Sequence, residues 1–403
     1  MSNIESQFSF EVLLEDEGTR ARLGLIKTLH GNIDTPCFVP VATLGSVRAL
    51  GSDDLEALGV QCALANTYHL HQKPGDELIK RLGGLHRFMC FDRPIFTDSA
   101  GFQAFSLGYG REHNINKLGG VFPAGRTTDE KKENRTRITD EGITFKSFYD
   151  GTWQFLDAKA SMKIQANLGS DIIMAFDECT SPLSDHDYTR VAMDRTHDWA
   201  KISLEHHDPG QAIYGIIQGG WFEDLRREST EFISSLPFDG IAIGGSLGNC
   251  KEDMHQVLDW IVPHLDCRPR HLLGIGEVDD IFECTQRGID TFDCVFPTRL
   301  ARRGGILIGP ESGGGPQNKF RIVIKAAKYK DDNLPLDPNC RCPTCQRYSR
   351  AYLRHLYLAY ELSYFRLASV HNLHFMLVLM HEIRRSINNG TFMELKEKWL
   401  KRD

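Results

Sequence analysis

The chain has 403 residues, of which 41% are apolar and 25% charged, an ordinary globular composition that excludes a disordered chain. No apolar run reaches the ~18 residues of a membrane span, and the first 18 residues, acidic and without Lys or Arg, exclude a conventional signal or transit peptide. The net charge of −7 hides an asymmetry: residues 296–403 carry 19 Lys and Arg against 9 Asp and Glu, residues 1–295 carry 28 against 45, and a basic end on an acidic body predicts a local contact with a polyanion.

Eight short apolar runs read as strands buried on both faces: 36–41 (PCFVPV), 61–65 (QCALA), 94–97 (PIFT), 171–176 (DIIMAF), 212–217 (AIYGII), 240–243 (GIAI), 271–273 (HLL) and 291–296 (TFDCVF). Amphipathic stretches lie between most of them. One is 52–58, opened by Ser52, Asp53 and Asp54 as a cap; others are 159–168 and 253–265. Pro297 is expected to close the last strand. Eight strands alternating with helices predict an α/β fold, a (β/α)₈ TIM barrel, with a doubly wound open sheet as the alternative. The polar stretch 108–140 reads as a mobile or partly disordered insertion, and the glycine-rich 309–316 as a flexible turn. The expected division is a barrel over 1–308 and a basic subdomain over 309–403.

Polar residues stand where these runs end. Asn66 follows the second, Asp98 the third, Asp177 the fourth and Gln218 the fifth. Gly244 and Gly245 follow the sixth, Gly274 and Gly276 the seventh, and Asp293 lies in the eighth. In a barrel these ends converge on one mouth, where active sites of the fold lie. A single Asp after a strand reads most simply as a helix cap; several polar residues at different strand ends read as a site. Two carboxylates, Asp98 and Asp293, can displace and protonate at an anomeric carbon, one attacking C1′ and the other moving protons. Spacing does not choose between the roles. Asp177 and Gln218 could read the edge of a heterocycle.

Eleven cysteines, mostly single, read as a reduced cytoplasmic protein. Cys340, Cys342 and Cys345 form C-x-C-x₂-C, and His371 follows within a helical stretch. Three thiolates and an imidazole complete a closed tetrahedral Zn²⁺ site, structural in kind. Spacing favours His371 only weakly over His355, His374 and His381.

Long motifs along nearly the whole chain make it resemble the tRNA-guanine transglycosylase (queuine tRNA-ribosyltransferase) family. They are TPCFVPVAT (35–43), NTYHL (66–70), RLGGLHRFM (81–89), RPIFTDSAGFQ (93–103), EGITFKS (141–147), GSDIIMAFDECT (169–180), GIIQGG (215–220), FDGIAIGG (238–245), GIDTFDCVFPTR (288–299) and the cysteine–histidine pattern. The resemblance implies exchange of guanine at the tRNA wobble position for a free 7-deazaguanine base, without ATP or organic cofactor. It makes Asp293 the nucleophile and Asp98 the general acid/base. Ser99, Phe102, Asp177, Cys179, Gln218, Gly245, Leu273 and Gly274 become the base pocket, and Arg299 and Arg302 contacts to the anticodon. Cys340, Cys342, Cys345 and His371 become the ligands of one Zn²⁺ per subunit. Tyr348, Tyr352 and His355 match a region used for contact by homodimers, so a homodimer is expected and no membrane partner. Gly248 stands where users of the smaller 7-aminomethyl-7-deazaguanine carry Val, which favours queuine, whereas Cys179 is typical of the smaller-base enzymes. Departures from the pattern are Ala100 in TDSAG, Ser246 after the glycine pair, and Glu277 in place of Lys. The alternative is a non-catalytic tRNA-binding accessory subunit of the same fold, from which the intact Asp98 and Asp293 motifs argue away.

Overall fold

The structure, a computed structural model, describes residues 8–101, 136–147 and 149–401. It opens with an antiparallel sheet of three strands, β1 (Ser9–Glu15), β2 (Arg22–Thr28) and β3 (Gly31–Thr35). Only one face of this sheet is apolar enough to need cover. Ile26 and Ile33 are fully buried and pack against Cys37, Val39, Cys62 and Leu64, so the sheet stoppers the N-terminal end of the barrel that follows.

Strand β4 (Cys37–Ala42) leads to α1 (Ser52–Ala57). Strand β5 (Ala63–Ala65) leads to α2 (Thr67–Gln72), α3 (Asp76–Arg81) and α4 (Gly84–Met89). After β6 (Ile95–Thr97), the described chain resumes in a small antiparallel sheet, β7 (Thr136–Thr139), β8 (Gly142–Lys146) and β9 (Trp153–Leu156). Five further pairs follow: α5 (Ala158–Leu168) with β10 (Ile172–Met174), α6 (His186–His206) with β11 (Ala212–Ile217), α7 (Glu223–Ser235) with β12 (Gly240–Ile243), α8 (Lys251–Ile261) with β13 (Arg270–Leu272), and α9 (Val278–Gln286) with β14 (Thr291–Cys294). Strands β4, β5, β6 and β10 to β14 form a closed parallel barrel, with β14 returning to β4 in the register Phe292 to Phe38. The open-sheet alternative is excluded.

All eight expected runs are barrel strands, and four of them, 61–65, 94–97, 171–176 and 291–296, are shorter in the structure. The helix expected at 253–265 ends at Ile261, because Pro263 cannot continue its hydrogen bonding and the next residues form a 3₁₀ turn. The cap of α1 is Gly51, not the Ser-Asp-Asp run; the Asp54 carboxylate reaches back to accept from the Gly51 amide at 3.2 Å. Pro297 does not merely end a strand. It lies in the first turn of α10 (Phe296–Arg302), where a missing amide hydrogen costs nothing. Of the stretch expected as an insertion, residues 108–135 lie outside the described residues. Residues 136–139 are ordered as β7, and the turn after it is held to α6 by the Trp199 indole, which donates to the Asp140 carbonyl at 2.7 Å.

The chain after α10 runs through β15 (Gly305–Leu307) paired with β16 (Arg321–Val323), then α11 (Pro343–Arg347), α12 (Arg350–Leu358), α13 (Leu362–Asn388) and α14 (Phe392–Leu400). Helix α13 lies on the barrel wall. Its Leu373, Met376, Leu379 and Ile383 share one core with Phe38 and Phe292, and Arg384 donates to the Pro36 carbonyl at 2.7 Å.

A buried ion pair ties the stopper sheet to the barrel's closing strand. Arg22, 3% exposed, donates through Nε and Nη2 to both oxygens of the fully buried Asp290, at 2.9 and 2.7 Å. Asp290 also accepts from the Arg270 amide at 2.7 Å. Removing one partner leaves an uncompensated charge in a dry interior. Asp290→Ala should therefore cost about 3–5 kcal/mol, read as a shift of the denaturant midpoint. A loss below about 1 kcal/mol, the range of exposed pairs, would show that the pair does not hold the sheet to the barrel.

Candidate active site at the barrel mouth

Side chains alternate along a strand, and the inner row of this barrel is legible in its packing. Cys62 and Leu64 face inward on one side of it, Phe96, Tyr214, Ile216 and Ala242 elsewhere. Continued two residues past the apolar rows, the same phase presents Asn66, Asp98, Gln218 and Gly244. Leu273 and Asp293 keep inward phase on the last two strands. That is why residues far apart in sequence meet at one mouth.

Asp98 sits just past β6 and is heavily supported. Its Oδ1 accepts from the Thr67 amide at 3.0 Å and the Ala100 amide at 3.3 Å, and Oδ2 accepts from the Asn66 side-chain amide. Asn66 does double duty, capping α2 by accepting from the His69 amide at 2.9 Å. Burial pushes the Asp98 carboxyl up to about 7, against the pull of the two amides and with added repulsion from Asp293 and Asp177. Ala100, the departure in TDSAG, takes a φ of +69°. A side chain in that region costs about 1–2 kcal/mol; the conformation turns the Ala100 amide onto Asp98.

Asp293, at the end of β14, takes both of its donors among the described residues on one oxygen. The Gly274 amide donates to Oδ1 at 2.9 Å and His271 Nε2 lies 3.2 Å from the same atom. Asp177 is clamped from two sides. Ser99 Oγ donates to its Oδ1 at 2.6 Å and Gln218 Nε2 to its Oδ2 at 2.7 Å. Cys179 is buried beside this group, its thiol 3.7 Å from the Thr180 carbonyl. Gly245, at φ +81°, lies so close to Gln218 that a Cβ would stand 2.2 Å from Oε1, so no side chain fits there. Leu273 packs over Gly244. Phe102 lies outside the described residues.

Gly248 lies in the loop that leads into α8. Its φ is +100°, and a Cβ there would meet the Asp253 side chain at 2.2 Å. The Asp253 carboxylate accepts from the Asn249 and Cys250 amides at 2.6 and 3.2 Å. Gly248 therefore serves the turn into α8, and a Val in this backbone would strike that turn. Glu277, where the family pattern has lysine, is one of three carboxylates around Lys251, whose Nζ lies 2.7 Å from Glu277, 2.8 Å from Asp279 and 3.0 Å from Asp280.

Several supporting residues escaped the sequence reading. Arg226, fully buried in α7, donates to the carbonyls of Gly220, Ile217, Gly244 and Ser246 at 2.8 to 3.1 Å. It stitches the loops after β11 and β12, which carry Gln218 and Gly245, and burial pulls its guanidinium down to about 10. An arginine in a surface-type helix gives no signal of this. His271 lies in the expected strand 271–273, and a histidine in phase with the inner row is the sign the sequence carries.

Arg299 and Arg302 lie on α10, next to the mouth. Burial lowers the affinity of both for protons, and Arg48, Arg299 and Arg303 add repulsion at Arg302. Positive charge is thus concentrated at the rim, and Arg302 Nη1 is buried with no acceptor among the described residues. Farther along, Cys340, Cys342, Cys345 and His371 offer four donor atoms within 4.8 Å of one another, a cluster that could hold a metal ion. His371 Nδ1 stands 3.5 Å from Cys342 Sγ and 3.2 Å from Cys345 Sγ, near the roughly 3.6 Å edges of a tetrahedral S₃N zinc site. Its Nε2 donates to the Leu307 carbonyl at 2.7 Å, which leaves Nδ1 free to ligate. The imidazole is thereby selected over His374, whose Nδ1 is 3.5 Å from Cys340 Sγ alone.

The family model described as queuine tRNA-ribosyltransferase matches residues 16–403. A protein of Archaeoglobus fulgidus named "Putative queuine tRNA-ribosyltransferase" is 54% identical, over 94% of this chain and 96% of the relative. The queuine tRNA-ribosyltransferases of Roseiflexus sp. and Fusobacterium nucleatum are 45% and 43% identical, over 97% and 96% of this chain and 99% and 97% of their own lengths. With the motifs at the mouth and a match over almost its full length, this chain belongs to the queuine tRNA-ribosyltransferase family.

Proposed function

We propose that the chain exchanges guanine at the tRNA wobble position for a 7-deazaguanine base through a covalent ribosyl-enzyme. The observation that carries this reading is the pair of unlike carboxylates at the mouth. Asp98 holds a proton up to about pH 7, and Asp293 turns one oxygen inward to its donors and leaves Oδ2 for the substrate. In the first half, an Oδ2 lone pair forms a bond to ribose C1′ as the C1′–N9 bond breaks. The electron pair leaves on guanine, which takes the Asp98 proton. In the second half Asp98 removes a proton from the incoming base, whose nitrogen attacks C1′ and returns the electron pair to Asp293. Asp177, Ser99, Gln218 and the bare backbone at Gly245 recognise the base. The arginines of α10, with Arg48, bind anticodon phosphates.

Queuine is the proposed incoming base. This part is supported by the relatives' names and by the missing side chain at Gly248. Residues 309–403 form the proposed basic unit, and its Cys₃His cluster holds zinc as a structural ion. No helix among the described residues is long and apolar enough to cross a membrane.

Incubation with tRNA and labelled guanine should place label at the wobble position, and queuine should displace it with a higher kcat/KM than 7-aminomethyl-7-deazaguanine does. A reversed preference would move the assignment to the smaller base. Asp293→Asn should lose at least about 10³-fold in exchange, and the RNA adduct trapped on denaturing gels should vanish. An adduct that persists in this variant removes Asp293 from the role.

The raised carboxyl of Asp98 carries a pH signature. The folded chain holds this proton between the ordinary carboxylate range and about 7, where the unfolded chain has lost it. Stability from this group is therefore present at low pH and falls as pH rises through that window. Asp98→Asn should raise the thermal midpoint at pH 8 relative to the parent, and the gain should shrink toward pH 4. A gain independent of pH would contradict the shift.

Cys342→Ser should abolish metal binding and expose residues 309–403 to proteolysis, since a closed zinc site contributes folding energy directly. Elemental analysis of the parent should find about one zinc per chain; a parent with no zinc would refute the site.

A further inference from the structure

His271 is fully buried in β13 and stacks on Phe96, with ring centroids 5.5 Å apart at 24°. Its two nitrogens meet two different residues of β14. Nδ1 lies 2.9 Å from Thr291 Oγ1 and Nε2 lies 3.2 Å from Asp293 Oδ1. A carboxylate has no proton to give, so Nε2 carries one and donates it. In that tautomer Nδ1 is the acceptor, and the Thr291 hydroxyl is the donor that holds it. Strand alternation makes the arrangement possible: residues 291 and 293 point the same way on β14, and His271, paired with Thr291 across the sheet, lies between them.

We propose that His271 is a positioning residue for the nucleophile, and that Thr291, His271 and Asp293 form one hydrogen-bonded line that assigns the attack to Oδ2. The inference rests on Asp293 as the nucleophile. Oδ1 is taken by the Gly274 amide and by His271; no donor among the described residues reaches Oδ2. The two donors hold the carboxylate plane and aim the other oxygen's lone pair. When Oδ2 bonds to C1′ and the electron pair departs with the base, the proton on His271 Nε2 stays in place. His271 orients and does not exchange protons. Without it, the buried Oδ1 keeps one amide donor and the carboxylate is free to rotate about its Cβ–Cγ bond.

The test is single-turnover formation of the trapped RNA adduct, measured with tRNA affinity in the same protein. His271→Phe keeps the stack on Phe96 and removes the donor. It should slow adduct formation about 10²-fold, the cost of a misplaced reacting group, with the Kd for tRNA changed less than about two-fold. His271→Gln restores an N–H near the Nε2 position and should recover most of the rate. Thr291→Val removes the hydroxyl that fixes the tautomer and should slow the step about ten-fold, part of the penalty known for a wrong histidine tautomer. If His271→Phe fails to fold, Thr291→Val decides alone. Wild-type rates in His271→Phe or, failing it, in Thr291→Val overturn the proposal, and so does a loss in His271→Gln as large as in His271→Phe. Asp293→Asn in the same assay separates the two readings. If it still forms adduct, the nucleophile assignment has failed; if it is inert while the His271 variants react normally, only the positioning role has failed.

Discussion

The hydrogen bonds between the last barrel strand and the first, running from Thr291 opposite Cys37 to Cys294 opposite Pro40, are the constraint on which the site depends. Closure fixes the phase of every strand at once. With side chains alternating between a packed interior and the surrounding helices, a slip of one residue in β14 would turn Asp293 outward and Phe292 inward. The inner row of Val39, Leu64, Phe96, Met174, Tyr214 and Ala242 cannot accept such a slip without exchanging its filling. The apolar packing that closes the barrel therefore also aims the carboxylates.

At the mouth, three carboxylates stand close enough for their charges to be felt at Asp98. The fold tolerates this by giving each its own donors: amides of Thr67 and Ala100 with the Asn66 side chain for Asp98, Ser99 and Gln218 for Asp177, Gly274 and His271 for Asp293. The residual repulsion and burial fall on Asp98, which keeps its proton near neutrality. One mouth thus holds carboxylates of the same residue type in unlike surroundings, the difference on which the proposed division of roles rests.

The C-terminal segment is joined to this site by α13. That helix supplies His371 to the cysteine cluster. On the next residue, Asn372 donates to the carbonyls of Pro297 and Gly305 at 3.0 Å and accepts from the Leu307 amide at 3.0 Å. Pro297 and Gly305 bracket α10, the helix that follows Asp293 and carries Arg299 and Arg302. Whatever fixes α13 therefore fixes the rim where the arginines cluster.

The eight strands, the barrel and the polar residues at its mouth were legible in the chain itself, because buried parallel strands need continuous apolar runs and these runs alternate with amphipathic stretches. The cysteine spacing was legible for a similar reason: ligands on one short loop are necessarily close. What the sequence could not decide were contacts between distant elements. Choosing His371 over His374 required the Leu307 carbonyl, which settles the tautomer. The positive φ of Gly248 and the close approach of Asp253 to it leave no mark in the sequence, because both depend on how the loop before α8 folds back on that helix. Arg226 and His271 looked like ordinary helix and strand residues until four carbonyls closed around one and Asp293 came within 3.2 Å of the other. A sequence specifies which residues are apolar and which are polar along one dimension. The partners of a buried polar group are set by the fold, since a desolvated donor or acceptor must find its complement wherever the chain returns.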